Sequence, residues 1–95
     1  MAVTNTFSAT ADNTEWVEVV DGSTIASFGV EVDPTSTSVF LAVSQDVPDD
    51  DSDDYLVLQR ERDTSISFSL NATDKVYVRA PSSTVVKVRG YQVTR

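Results

Sequence analysis

Polar and apolar residues alternate with a period of two along much of this chain, most clearly from Ile66 to Val93. Ile66, Phe68 and Leu70 alternate with serines, and Val76, Val78 and Ala80 alternate with Lys75, Tyr77 and Arg79. Turn residues interrupt the run at Asn71–Asp74 and Pro81–Ser83, and a Val-rich stretch from Thr84 to Val93 closes it. Alternation of this kind, bounded by turns, marks half-buried strands. It predicts a three-strand antiparallel meander, about the smallest sheet that is stable once one face is covered. The rest of the chain is expected to pack on it.

Upstream the pattern is of the same kind. Ala2–Thr10 is polar apart from Val3 and Phe7, and reads as a mobile arm over residues 1–10 or an edge strand that orders on a partner. Thr14–Val20 is a strand around Trp16. Asp21-Gly22 then predicts a hairpin into Ser23–Val32, because a type I′ turn needs positive φ at both central residues. Asp33-Pro34 ends that strand, since proline cannot donate to a ladder. Val39–Val43 is a continuous apolar run, as expected of a strand covered on both faces or of a subunit contact. Asp46–Asp54 is a loop, Tyr55–Leu58 another apolar strand, and Gln59–Ser65 a charged turn. Tyr91 and Val93 lie out of phase with Val86 and Val88, which predicts a bulge at Gly90 or a last strand buried on both sides. No segment has helical spacing. About eight strands at regular intervals over residues 11–95 predict a single all-β domain, a small antiparallel β-sandwich that is immunoglobulin-like or jelly-roll-like.

Composition limits the function. A chain of 95 residues buries roughly 60–70% of its unfolded surface, enough for one domain with little margin. There is no cysteine, so no disulfide reinforces the core, and synthesis in a reducing compartment is expected. Neither a signal peptide nor an apolar run of membrane-spanning length is visible. The net charge of −8 disfavours nucleic acid and anionic membranes as partners. It is unevenly spread: residues 1–59 carry −12 and residues 60–95 carry +4. Two accounts fit. Either the basic strands sit beside the acidic ones within one fold, or acidic and basic faces of neighbouring subunits meet.

The side-chain inventory argues against catalysis. Histidine is absent, which removes the usual general base and the Ser-His and Cys-His nucleophile pairs. Three scattered glycines make no phosphate loop. In the acidic loop, Asp49, Asp51 and Asp53 occupy the first, third and fifth positions of a calcium-loop pattern. However, Asp54 stands where the glycine belongs and Arg60 where the terminal Glu belongs, so this is not an EF-hand. The three aspartates are the candidate metal ligands, the other reading being a solvated loop extended by like charges. Trp16, Tyr55, Tyr77 and Tyr91 either form an aromatic platform for sugar rings or pack a core or interface. Asn71-Ala72-Thr73 matches a glycosylation acceptor but is more simply a turn. No cofactor is expected.

The C-terminal half resembles small virion proteins of tailed bacteriophages. The resemblance is carried by Tyr55-Leu-Val-Leu58, Ile66-Ser-Phe-Ser-Leu70, Asp74-Lys-Val-Tyr-Val-Arg-Ala80 and the closing Val-rich strand. It implies a structural role as a capsid cement or decoration protein, made in the host cytoplasm. Such a protein sits on the outer capsid surface at local symmetry axes, often as a homotrimer, and clamps the major capsid protein. The alternative is a fibre, spike or tail domain that binds a receptor or glycan. On either reading the candidate partner contacts are Val3 and Phe7 in the arm, Val39, Phe40 and Leu41 in the central run, and Tyr55, Arg60 and Arg62 beyond it.

Overall fold

In the computed structural model, which describes residues 2–60 and 66–95, the alternating segments form eight strands in two antiparallel sheets. The strands are β1 (Thr4–Ala11), β2 (Val17–Asp21), β3 (Ile25–Val32), β4 (Ser38–Ser44), β5 (Leu56–Gln59), β6 (Ile66–Ser69), β7 (Lys75–Arg79) and β8 (Val86–Thr94). The first sheet has the order β1-β8-β3-β6 and the second β2-β7-β4-β5. Strand 1 pairs with 8, 2 with 7, 3 with 6 and 4 with 5. This is a ribbon folded back at the β4–β5 connection and rolled up, which makes the sandwich a jelly roll. No helix long and apolar enough to cross a membrane occurs among the described residues.

The inward faces supply the core. Phe28, Val30 and Val32 of β3 and Val88 of β8 meet Val39 and Leu41 of β4, Leu58 of β5, and Val76 and Val78 of β7, all buried. Burial of each Val, Leu or Phe side chain contributes about 1.5–3 kcal/mol, the main favourable term in a chain without cross-links.

Four expectations from the sequence are corrected by this topology. The segment Ile66–Val93 is not a meander: β6 and β8 both pair with β3, whereas β7 lies in the other sheet between β2 and β4. Alternation specifies which face of a strand is apolar and is silent about its neighbour. Nor do β2 and β3 form a hairpin, since they belong to different sheets. Residues 21–24 make a corner instead, in which Ser23 N–H donates to Asp21 Oδ1 (2.9 Å) and Gly22 N–H to the Asp74 carbonyl (2.7 Å). Gly22 has no positive φ. It is needed because a Cβ there would strike the Asn71 and Asp74 carbonyls.

There is also no bulge at Gly90. The register runs unbroken through it on both sides, opposite Phe7 in β1 and Val30 in β3. The irregularities lie instead between Glu18 and Val20 in the β2–β7 pair and between Ile25 and Ser27 in the β3–β8 pair. Gly90 is there for room, because a Cβ would fall on the Gly29 carbonyl oxygen and crowd the Phe7 ring. Finally, most of the supposed arm is β1, hydrogen-bonded to β8 over its full length. It is the edge strand of the second reading, and Phe7 and Ala9 pack against the core.

Gly90→Ala is therefore expected to destabilise the protein by about 1–3 kcal/mol, the usual effect of overpacking. Urea unfolding should show a lower midpoint at an unchanged slope, and an unchanged midpoint would contradict the close approach of β3 and β8.

Candidate interaction surfaces

Outer faces of a sandwich are normally polar, yet the outer face of the second sheet carries an aromatic patch. Phe40 and Ala42 of β4 and Tyr77 and Arg79 of β7 share that face, with Ala42 opposite Tyr77 and Phe40 opposite Arg79. Trp16 joins Tyr77 and Ala42 in a buried cluster, with Phe40 and Tyr55 packed against it. Asp50 and Ser52 of the Asp46–Asp54 segment lie at its edge, beside Trp16, Phe40 and Tyr55. Tyr55 stacks on Phe40 with ring centroids 4.3 Å apart and tilts against Trp16 at 5.7 Å. Arg79 fastens both sides. Its Nε and Nη2 donate to the Asn13 carbonyl (3.1 and 2.7 Å), Nη1 lies 3.4 Å from Asp50 Oδ1, and the guanidinium sits 5.9 Å from the Trp16 ring centroid. Only the Trp16 indole N–H stays buried without an acceptor among the described residues. Burial pushes the Tyr77 phenol up.

The expected site residues fare unevenly here. Val39 and Leu41 lie in the core and present no surface to a partner, because the apolar run of β4 is covered on both faces by its own chain. Phe40 and Tyr55 are occupied with each other. Val3 is exposed and Phe7 half-buried. Arg60 Nη1 donates to the Pro34 carbonyl at 2.5 Å, and Arg62 lies outside the described residues. Asp49, Asp51 and Asp53 are exposed, and no three potential ligands among the described residues come together as a metal site. The aromatic platform does not assemble: Trp16 and Tyr77 are buried and Tyr91 stands on the opposite sheet. Asn71–Asp74 is a turn, closed by Asp74 N–H to the Asn71 carbonyl (3.1 Å) and Asn71 N–H to Asp74 Oδ2 (3.0 Å).

Part of the charge asymmetry is met within the fold. Lys75, Arg79 and Arg89 pair with Glu18 (3.8 Å), Asp50 (3.4 Å) and Asp33 (2.6 Å), each a C-terminal cation on an N-terminal carboxylate. The first two pairs are surface interactions, worth at most about 1 kcal/mol. Asp33 differs in being 5% exposed. The Thr35 hydroxyl, Arg89 Nε and the Thr35 N–H (3.0 Å) all donate to its carboxylate. These donors, the Thr35 hydroxyl first, hold its carboxyl far below the usual range. The Thr14 hydroxyl lowers Asp12, the Ser23 N–H lowers Asp21 and the Asn71 N–H lowers Asp74.

The outer face of the first sheet has a different character. Thr6, Ser8 and Thr10 of β1, Ser27 of β3, and Ser67 and Ser69 of β6 alternate with core positions and form a field of hydroxyls. Tyr91 stands in its middle, 39% exposed, opposite Thr6 on one side and Gly29 on the other. Its ring lies over Gly29, where a Cβ would collide with it. A shallow groove of about 790 Å³ runs beside it, lined by Thr6, Ser8, Gly29, Glu31, Arg89 and Gly90 among others. The sequence contained the signal for this surface, a Ser/Thr at every second position, but not the pairing that joins the four strands into one face. Comparison with protein-family models, curated proteins and solved structures finds no match.

Arg79→Ala should release the acidic segment, costing about 1.5–3 kcal/mol for a charge-assisted hydrogen-bond set. The single tryptophan would report it as red-shifted, more quenchable emission; unchanged emission would show that the segment is held otherwise. The four lowered carboxyls contribute stability that is complete above their unfolded values near ~4 and is lost as pH falls through the folded ones. Thermal midpoints should accordingly fall below about pH 4, and Asp33→Asn should flatten that acid limb.

Proposed function

We propose that this chain is a bacteriophage capsid cement or decoration protein. It is made in the host cytoplasm, binds the major capsid protein on the outer shell at local symmetry axes, and self-associates there. The observation that carries this reading is the outer face of the first sheet: hydroxyl-rich, built from four strands and centred on exposed Tyr91. An exposed aromatic at the centre of a sheet face suits a protein partner, since such residues anchor interfaces. The net charge of −8 suits the outside of a shell better than its DNA-facing interior. A ligand that binds only the assembled shell stabilises it by linkage, so the role asks no catalysis and no cofactor of the chain.

A second reading, a fibre, spike or tail domain that binds a receptor or glycan, is favoured by the same Tyr91 ring lying open among hydroxyls. Jelly rolls occur in both viral capsid and lectin domains, and a shared fold is only an analogy for function.

Capsids lacking the protein should release their DNA at a lower temperature, and added protein should restore resistance. Tyr91→Ser should weaken co-sedimentation with shells by about tenfold or more, as for an aromatic at the centre of an interface. Equal burst resistance with and without the protein would sink the cement reading, and binding on a glycan array without shell binding would favour the second.

A further inference from the structure

The open edge of the first sheet is β1, and its sequence does nothing to guard it. Natural edge strands are blunted by charge, proline, bulges or shortness. β1 runs for eight residues with no charged residue, proline or glycine, and pairs with β8 without a break in register. The other described edges differ. β2 carries Glu18, Asp21 and a register shift, and β5 and β6 have four residues each.

The hydrogen-bond phase shows what this edge offers. Thr94 N–H donates to the Val3 carbonyl at 2.9 Å. Bonded and non-bonded pairs alternate along an antiparallel ladder. Asn5, Phe7, Ala9 and Ala11 therefore direct their backbone groups at β8, and Thr4, Thr6, Ser8 and Thr10 direct theirs outward from the sheet. All four of these residues are exposed.

We propose that β1 pairs antiparallel with β1 of a second copy of this chain, about a two-fold axis at Phe7. The segment complements itself in that register. Thr4 faces the second copy's Thr10 and Thr6 faces its Ser8, so the outward N–H and C=O groups of all four residues are paired. The cross-strand side-chain pairs on the outer face are hydroxyl with hydroxyl, a favourable combination. On the inner face half-buried Phe7 meets its twin, and rings so placed attract beyond their burial. The strand's neutrality lets two chains of net charge −8 approach along it, and its length matches a second β1 better than the four-residue β6. Two-fold pairing of one patch with itself is the commonest form of closed assembly. It builds an eight-stranded sheet and doubles the hydroxyl face. It also gives dimers or even-numbered assemblies, in place of the trimer expected from the resemblance.

The inference stands apart from shell binding and is tested on the purified full chain alone. Sedimentation equilibrium from low to high micromolar concentration should give a dimer. Ser8→Glu, which sets like charges beside the axis, should raise the dissociation constant about tenfold or more with circular dichroism unchanged. Ser8→Pro, which removes one outward N–H at a position where an edge strand tolerates proline, should do the same. The chain has no native cysteine, so the double variant Asn5→Cys, Ala9→Cys should oxidise to a covalent dimer. A monomer throughout, a trimer, or a dimer that withstands both Ser8 variants overturns the proposal; a dimer without the cross-link overturns the register at Phe7.

Discussion

The fold rests on pairing between strands that are distant in sequence. Thr4 pairs with Val93, Val17 with Val78 and Phe28 with Phe68, and only the β4–β5 pair joins sequence neighbours. Six of the seven connections cross from one sheet to the other. No three-strand unit is available to form first and wait, because each strand's inward residues are covered by strands from elsewhere in the chain. Such non-local topologies must close long loops before burial offsets the lost entropy, and they fold slowly. Arg95 reinforces the closure: its N–H bonds the Thr24 carbonyl (3.0 Å), and its guanidinium reaches the Gly22 (2.6 Å) and Leu70 (2.5 Å) carbonyls. One residue thus ties the β2–β3 corner to the end of β6.

The two outer faces follow from which strands this rolling makes neighbours. β7 and β4 bring Tyr77, Phe40 and Ala42 together, and Trp16 and Tyr55 pack over them. β1, β8, β3 and β6 bring together the serines and threonines, which need no cover. One face therefore stabilises the chain itself, and the other is left open. The acidic segment Asp46–Asp54 follows β4 of the second sheet, whereas the charged groups on the hydroxyl face are Lys87, Arg89 and Glu31.

Strand positions were largely legible in the sequence, because alternation and turn residues are local. Pairing was not. Ile66–Val93 alternates just as a meander would, and its division between two sheets depends on Val and Ile residues in the N-terminal half. Asp21-Gly22 carries the hairpin signal because the same two residues also serve an inter-sheet corner, where glycine answers to the Asn71 and Asp74 carbonyls rather than to its own φ. Gly90 misleads for a related reason: its phase conflict is real, and it is resolved by Tyr91 facing outward over Gly29. At the candidate surfaces, the apolar run Val39–Val43 announced coverage on both faces but could not say that its outer side would be met by the chain's own Trp16 and Tyr55. The roles of Arg79 and of the Asp33–Arg89–Thr35 set needed three-dimensional proximity. A two-residue step from Tyr77 to Arg79 was their only local trace.

The β1–β8 pair has a mechanical side. Its strands run antiparallel, and the start of one and the end of the other leave the sheet together, at Val3 and Thr94. A load pulling those ends apart would open the ladder one hydrogen bond at a time, as a zipper opens, instead of shearing the whole row at once. The domain is consequently soft when pulled by those ends and stiff when pressed across its faces. A force spread over the hydroxyl face is shared by four strands, whereas tension between those two ends meets one hydrogen bond at a time.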